Sequence, residues 1–152
     1  MSYLSPELSA VVAELGWRER PNAADAAELI VGDYARGFLI LKLEQETQVA
    51  QRSLRGGPSL KLRTNDVTAA EKYIAFYAAR LLRFRRNLPD RSASVDASAI
   101  APPFKLTADE FRCELAWDDS WADFGVGNEF AAAQFAQYGR GDVGDTLTSI
   151  LS

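Results

Sequence analysis

The sequence contains no histidine and only one cysteine. Histidine is the side chain whose unperturbed pKa best suits acid–base chemistry near neutral pH, and it is a common zinc ligand. Its absence excludes a Ser-His-Asp or Cys-His catalytic site. The lone Cys113 excludes an intrachain disulfide and suits a reducing compartment. It lies on the apolar side of an alternating segment, so we expect a buried, unreactive thiol.

Long apolar runs and phosphate-binding loops are also missing. No stretch approaches the roughly 18 apolar residues of a membrane-spanning helix, and the first residues, MSYLSPELS, do not form a secretory signal. The glycine pair in Arg55–Pro58 lacks the Lys-Ser/Thr of a P-loop, and Gly125–Asn128 lacks a third glycine and follows an acidic stretch. We therefore expect a cytoplasmic protein without a cofactor and without a membrane partner.

What is present is an ordinary globular composition with a strong charge asymmetry. The 152 residues have 47% hydrophobic and 25% charged side chains, which predicts one domain over residues 1–152. Residues 50–92 carry 10 basic and 3 acidic groups, whereas residues 107–152 carry 2 and 9. The two regions either complement each other within the fold or leave the acidic part facing a partner.

A long helix over Asn65–Arg86 is the strongest element that the sequence predicts. Thr68 and Glu71 fit a capping box at its start. Apolar residues recur behind them at helical spacing, and arginines crowd the last turns, where positive charge opposes the negative end of the helix dipole. Leu88-Pro89 ends it. Such a helix is roughly 30 Å long, enough to cover a sheet.

Shorter helices are predicted near both ends of the chain. Ser5 can cap the first, Pro6 suits its first position, and Gly16 can end it in the left-handed conformation. Two more are predicted over Glu129–Tyr138 and from Asp142 to Leu151.

Between the first helix and the long helix the sequence indicates an antiparallel meander. Arg18–Ala24, which contains Pro21, is interpreted as a loop. Short turns favour antiparallel neighbours, and the predicted strands cover Glu28–Tyr34, Phe38–Glu44, Thr47–Leu54 and Ser59–Arg63. The side chains expected to face the helix are Ile30, Leu39, Leu41, Val49, Leu60 and Leu62. The fold class is therefore α+β, an antiparallel sheet packed against one long central helix with short N- and C-terminal helices.

The remaining segments precede the C-terminal helices. Asp90–Pro103 is rich in Ser, Ala and Pro and is interpreted as a linker. Phe104–Leu106 and Phe111–Trp117 are predicted strands, and Asp118–Gly125 is an acidic, aromatic loop.

This loop supplies the candidate site. Tryptophan is enriched at interface hot spots, and carboxylates around it would steer a cationic partner. The candidate partner-binding residues are Trp117, Asp118, Asp119, Trp121, Asp123 and Phe124. A solvated acidic loop, with Trp117 packed in the core, is the alternative. The adjacent aspartates have neither the separated pair of environments of a glycosidase nor the oxygen count of a calcium site.

Five arginines at and just beyond the end of the long helix could contact nucleic acid: Arg80, Arg83, Arg85, Arg86 and Arg91. Yet the isoelectric point is about 4.9 and the nearby aromatic residues lie at core spacing. We expect instead that Arg80, Arg83, Arg85 and Arg86 complement the helix dipole and pair with the acidic C-terminal region.

Several short motifs resemble a known family. They are Ser5-Pro6-Glu7-Leu8, Leu15-Gly16-Trp17, Arg52-Ser53, Ala70-Glu71-Lys72-Tyr73, Arg83, Leu88-Pro89 and the closing segment Asp145–Leu151. Together they resemble the immunity proteins of bacterial polymorphic toxin systems, in particular the factors that neutralise tuberculosis-necrotizing-toxin-type NAD glycohydrolases. The resemblance covers much of residues 5–89, and the Asp118–Phe124 stretch has no counterpart in it.

The resemblance implies a protein without enzymatic activity that binds a cognate secreted toxin one-to-one, as a monomer when free, and blocks the active site of that toxin. Two other functions stay open. A secretion chaperone would hold a client protein, usually as a dimer with a large apolar groove. A small enzyme using carboxylates and arginines would turn over a nucleotide or sugar and lose activity on Asp119→Asn.

Overall fold

The computed structural model describes residues 3–92 and 95–152, together with the backbone but not the side chain of Ala26. It contains one eight-stranded antiparallel sheet and four helices, so the predicted α+β class is confirmed. The strands are β1 (Arg18–Asn22), β2 (Asp25–Gly32), β3 (Gly37–Lys42), β4 (Thr47–Arg52), β5 (Ser59–Thr64), β6 (Lys105–Ala108), β7 (Cys113–Trp117) and β8 (Ser120–Asp123). The helices are α1 (Pro6–Glu14), α2 (Val67–Arg85), α3 (Glu129–Tyr138) and α4 (Val143–Leu151).

The strand order is β1-β2-β3-β4-β5-β8-β7-β6. Strands β2 to β5 form the predicted meander, and β1 extends it by one strand at the edge. The chain then leaves the sheet through α2, reaches the far edge at β6, and returns strand by strand to place β8 against β5. Only two residue pairs, Arg63↔Asp123 and Thr64↔Ala122, join β5 to β8. This junction unites the N-terminal and C-terminal parts of the sheet.

Two strands lie where the sequence indicated loops. Arg18–Asn22 forms the edge strand β1, where Pro21 is tolerated because the outer side of an edge strand needs no N–H donor. Ser120–Asp123 forms β8 and pairs with β7 through a two-residue turn at Asp118-Asp119. Asp118 has φ of 51°, the left-handed conformation that such hairpin turns require and that aspartate tolerates.

The long helix begins differently from the prediction. Asp66, not Thr68, is the N-cap, and its side chain accepts a hydrogen bond from the Thr68 N–H. Glu71 does not fold back on its own helix: its Oε1 accepts the N–H of Ser5 at 2.8 Å, which ties α2 to the start of α1. The predicted capping box is therefore wrong. Ser5 precedes α1 as expected, but its side chain makes no capping hydrogen bond. Gly16 does adopt a positive φ, 79°, after α1.

The core lies between the helices and one face of the sheet. Phe38 on β3 contacts the rings of Tyr73 and Tyr77 on α2. A second aromatic group surrounds the fully buried Phe135 on α3, whose ring contacts are Phe104, Trp117, Phe124 and Tyr138. Cys113 is buried, as predicted, and its burial raises the thiol pKa to about 11, so the thiolate is scarce at neutral pH.

The arginines at the end of α2 and at its C-cap, Arg86, have partners, but mostly not in the acidic C-terminal region. Arg80 pairs with Asp90 at 2.9 Å, and Arg86 pairs with Glu14 on α1. Arg83 donates to the Pro89 carbonyl at 2.7 Å and reaches the Ser152 carbonyl at 3.5 Å, whereas Arg85 donates to that of Leu15.

The predicted linker, Asp90–Pro103, contains no helix or strand among its described residues; Ala93 and Ser94 lie outside them. Within the described ranges, no helix combines the length and the hydrophobicity needed to cross a membrane.

Lys72, which the sequence analysis names only as part of the Ala70–Tyr73 motif, is a buried cation. It is 9% exposed, and its Nζ donates to the carbonyl of Gly139 at the end of α3, at 2.9 Å. Burial lowers its pKa below 10.5, an effect that Asp66, Asp142 and Asp145 partly oppose. The lysine therefore fastens α2 to the C-terminal end of α3, where a positive charge is favoured by the helix dipole.

The depressed pKa predicts a pH-dependent stability. Between the folded-state pKa and 10.5, the unfolded chain binds more protons at this site than the folded chain does. We therefore expect the stability of the wild-type protein relative to Lys72→Met to rise as pH increases toward 10.5. Urea unfolding of both proteins across this pH range measures the difference and cancels the tyrosine titrations. A difference that stays constant with pH would contradict the assignment.

Candidate partner-binding surface

The sheet has one face against the helices and one face toward solvent, which we call the outer face. The residues that pack under the helices are Val31, Phe38, Ile40, Val49 and Leu62. Their neighbours along each strand point the other way. A row of paired residues therefore crosses five strands on the outer face: Arg20, Ile30, Leu39, Ala50 and Leu60.

Several residues of the outer face were predicted from the sequence to lie in the core, and that prediction is wrong. Ile30, Leu39 and Leu41 were expected to face the helix, but they lie half-buried on the outer face, and Leu60 is 53% exposed. Only Val49 and Leu62 of the predicted set are fully buried. A shift of one residue exchanges the two faces of a strand. The apolar runs in β2 and β3 do not alternate, so they could not reveal which face is inward. In β5 a bulge opposite Val49 and Ala50 separates Leu60 from Leu62.

A second, polar row crosses the outer face beside the first. It includes Glu28, Leu41, Gln48, Arg63, Asp123, Glu114 and Thr107. Arg63 lies at its centre and binds Glu46 through two hydrogen bonds, of 2.8 Å and 2.9 Å. It also lies 3.8 Å from Asp123 Oδ2, and its guanidinium carbon is 5.9 Å from the centre of the Trp121 ring. Arg63 therefore connects the β3–β4 turn to the Trp121 hairpin.

The hairpin itself is held firmly. The Trp121 N–H donates to Asn65 Oδ1 at 2.8 Å, and the Thr64 hydroxyl donates to the Trp121 carbonyl at 2.6 Å. Asn65 Nδ2 donates to the Asp119 carbonyl at 2.9 Å, and Ser120 Oγ reaches Asp66 Oδ2 at 3.3 Å. These bonds fix β8 to the end of β5 and to the start of α2. Trp121 is thus a half-exposed aromatic side chain on a rigid support.

The six candidate residues divide into two groups. Trp121 and Asp123 lie on the outer face, and Asp118 and Asp119 form the exposed hairpin turn beside it. Asp123 also accepts the Gly125 N–H at 2.9 Å, so part of its role is structural. Their contact with a partner remains a prediction.

Trp117 and Phe124 belong to the helix side of the sheet. Trp117 is partly buried against Phe104, at 5.2 Å between ring centres, and Phe135, at 5.7 Å. Phe124 is 3% exposed and packs on Phe135 at 5.6 Å. Both side chains stabilise the core, and Phe124 is not accessible to a partner. Because β8 is a strand rather than a loop, residues 121 and 124 fall on different sides of the sheet.

The Glu46–Arg63 pair makes the outer face sensitive to acid. The side-chain hydrogen bond from Arg63, and then that from Gln48, lowers the pKa of Glu46 to about 2. The ionised Glu46 carboxylate therefore contributes fully to stability above pH 4.5, and this contribution is lost as pH falls through about 2. We expect the stability difference between wild type and Glu46→Gln to shrink over this range in thermal unfolding. Glu44→Gln, at an exposed neighbouring position, is the control and should show no such trend. An unchanged Glu46→Gln difference down to pH 2 would contradict this.

No grouping of three or more Cys, Asp or Glu side chains that could hold a metal ion occurs among the residues that the structure describes. The arrangement on the outer face offers instead an aliphatic centre, a fixed arginine and an aromatic flank. These are features of a surface that binds another protein.

Comparisons with known proteins give one informative result. No protein-family model matches the chain, and a search of curated proteins finds no match. Among solved structures, the fold is similar to that of Rv3902c from M. tuberculosis, with a TM-score of 0.78 and 16% sequence identity. The similarity covers 98% of this chain and 89% of that protein. At this level of identity the likeness establishes that the two proteins share a fold.

Proposed function

We propose that this protein is an immunity protein, which binds a cognate secreted toxin one-to-one and blocks its active site, the toxin being an NAD glycohydrolase. The motif resemblance described above supplies the class of partner. The observation that carries the proposal is the outer face, a preformed surface that combines the Ile30–Leu39–Leu60 row with the neighbouring Arg63 row and with Trp121 beside Arg63. Rigid surfaces of this kind bind tightly because little conformational entropy is lost on association.

The size of the outer face suits such a complex. Eight strands about 4.8 Å apart make a sheet roughly 34 Å wide, and strands of about five residues are roughly 17 Å long. The face therefore offers on the order of 600 Å², close to the ~800 Å² that each partner buries in an interface of standard size.

The charge around Trp121 favours a partner with a basic site. Asp118 and Asp119 extend from the hairpin, and no ion pair engages either of them among the described residues. Free carboxylates at the rim of an interface raise the rate of association with a positively charged surface. An enzyme cleft that binds the phosphates of NAD is expected to be such a surface.

The test is capture of the partner from the native host, with variants that locate the surface. Wild-type protein should retain a toxin domain in a one-to-one complex in native mass spectrometry. Leu60→Glu, which places a charge in the exposed aliphatic row, should lose it. Phe130→Glu, at a similarly exposed position on α3, should retain it. Capture that is insensitive to Leu60→Glu and sensitive to Phe130→Glu would place the interface on the helices and contradict the assignment.

The same measurement distinguishes the secretion-chaperone alternative. A chaperone is expected to appear as a homodimer holding a client that is not folded as an active enzyme. A monomeric free protein that forms a complex with a folded, active toxin supports the immunity function.

A further inference from the structure

A groove that shares no lining residue with the Trp121 hairpin lies between the C-terminal half of α2 and the end of the sheet where β2 turns into β3. Its volume is about 530 Å³, within the range of sites that hold a small ligand or a few side chains. Its apolar lining comes from Trp17, Phe38, Leu54, Tyr77 and Leu81. None of these residues belongs to the two rows of the outer face or to the Trp121 hairpin, so the groove is a separate site.

The floor of the groove is a fixed aromatic group. The ring of Phe38 lies 6.3 Å from that of Trp17 and 6.3 Å from that of Tyr77. Trp17 is 6% exposed, and its indole N–H is buried without a hydrogen-bond acceptor in the part of the chain that the structure describes. A buried donor without an acceptor is unusual in a folded protein and requires an explanation. A bound segment that shifts the lining side chains could supply the acceptor.

The mouth of the groove is positively charged. Arg36 and Arg52 both line it, and neither forms an ion pair within the described ranges. Arg52 Nη1 donates to the backbone carbonyls of Asp33, at 2.6 Å, and Arg36, at 3.2 Å, which holds its guanidinium in place. Asp33 is the nearby carboxylate, and its Oδ1 is already engaged by the N–H groups of Ala35 and Arg36.

Large apolar side chains remain uncovered at the same end of the molecule. Leu54 in the groove wall is 69% exposed, and Tyr34 in the adjoining turn is 86% exposed. Leu54 precedes Arg55-Gly56-Gly57, where Gly56 has φ of 79°. The wall thus continues into a glycine-containing turn, whose backbone can adjust when a side chain enters the groove.

We propose that this groove docks a segment of a partner protein in which one large apolar side chain is flanked by carboxylates. The apolar side chain enters between Phe38, Tyr77 and Leu81, and the carboxylates lie against Arg36 and Arg52. Charge complementarity selects this occupant: among the described residues, neither guanidinium group of the rim lies within ion-pair distance of a carboxylate, so a basic segment would be repelled. The site does not depend on the immunity function, because none of its lining residues belongs to the two rows of the outer face or to the Trp121 hairpin.

The test uses ¹⁵N-labelled full-length protein and short blocked peptides, followed by NMR. The probe is a pentapeptide with one tryptophan between two pairs of glutamates. We expect saturable shifts of the Trp17 indole N–H and of the backbone amides of Gly37 and Ser53, with a Kd of about 1 mM. Matched peptides with alanine in place of tryptophan, or with lysines in place of glutamates, should cause at least tenfold weaker effects.

Two variants of the protein test whether the arginines at the mouth of the groove bind the carboxylates of the peptide. Arg36→Glu should reduce the affinity for the glutamate peptide at least tenfold, whereas Arg20→Glu, an exposed arginine on the outer face, should not change it. The proposal is wrong if the lysine peptide binds as well as the glutamate peptide. It is also wrong if the peptide-induced chemical-shift changes centre on Trp121. The same holds if a single-stranded nucleic acid, tested as an oligothymidylate, moves the Trp17 indole signal and the peptide does not. None of these outcomes bears on the Leu60→Glu test of the toxin complex.

Discussion

Replacing Trp121 with alanine is expected to weaken the proposed toxin complex by about 2 kcal/mol, which is roughly 30-fold in Kd. The ring lies on the outer face beside the guanidinium of Arg63, 5.9 Å away, so it combines apolar area with a fixed cationic neighbour. Truncation removes the contact area and the ring that lies beside the Arg63 guanidinium, whereas Arg63 itself stays bound to Glu46. Isothermal titration calorimetry with the captured toxin domain measures the loss.

The fold should survive this change, because the backbone of residue 121 is held by Asn65 and Thr64 regardless of its side chain. The control is Phe130→Ala, which removes an exposed aromatic side chain from the helix layer. It should leave Kd unchanged. If both variants bind the toxin as the wild type does, Trp121 is not part of the interface, and the hairpin is only a structural element of the sheet.

Replacing Phe135 with alanine is expected to lower the free energy of unfolding by about 3–5 kcal/mol. Phe135 is fully buried, and its ring contacts four other aromatic residues from β7, from the end of β8, from α3 and from the segment before β6. A cavity at this position would loosen the attachment of α3 to the C-terminal part of the sheet. For a chain of this length the melting temperature should fall by about 10 °C.

Phe130→Ala again provides the matched control, since it removes the same side chain from the same helix at a position that is 58% exposed. Its effect should stay within about 0.5 kcal/mol. Equal losses for the two variants in calorimetric melting would contradict the central position of Phe135.

Much of the fold could be predicted from the sequence because its helices carry local signals. The position of α2 follows from the spacing of its apolar residues and the Leu88-Pro89 break, and α3 and α4 lie where they were expected. The detail of the α2 cap could not be predicted, since Asp66 and Thr68 are both good N-cap residues. The partner of Glu71 is in α1, which is distant in sequence.

The strands were harder to predict than the helices, because their apolar pattern does not show which face is buried. Apolar runs such as those of β2 and β3 fit either orientation, so the choice between Leu39 and Ile40 as a core residue depends on the helix that covers the sheet. The pattern around Asp118-Asp119 did contain a signal that would have revealed β8. Two alternating segments on either side of two turn-forming residues indicate a hairpin.

The wrong inward face of β2 and β3 and the missed strand β8 also affected the predicted site. Interpreting residues 118–125 as a loop grouped Phe124 with Trp121, although the strand places the former in the core and the latter on the outer face. The aliphatic row of the outer face was missed because its members were assigned to the core. What the sequence could identify was the Trp121 flank, since an acidic turn beside a tryptophan is unusual in a buried segment.

The central claim is inhibition of a toxin, and the most direct measurement is a titration of NAD cleavage. The toxin domain captured from the host is held at fixed concentration, and the purified protein is added in increasing amounts. We expect cleavage to fall linearly and to stop at a molar ratio of about one, as for tight binding at the active site, with Leu60→Glu failing to inhibit. Full NAD cleavage in the presence of excess bound protein would contradict the claim.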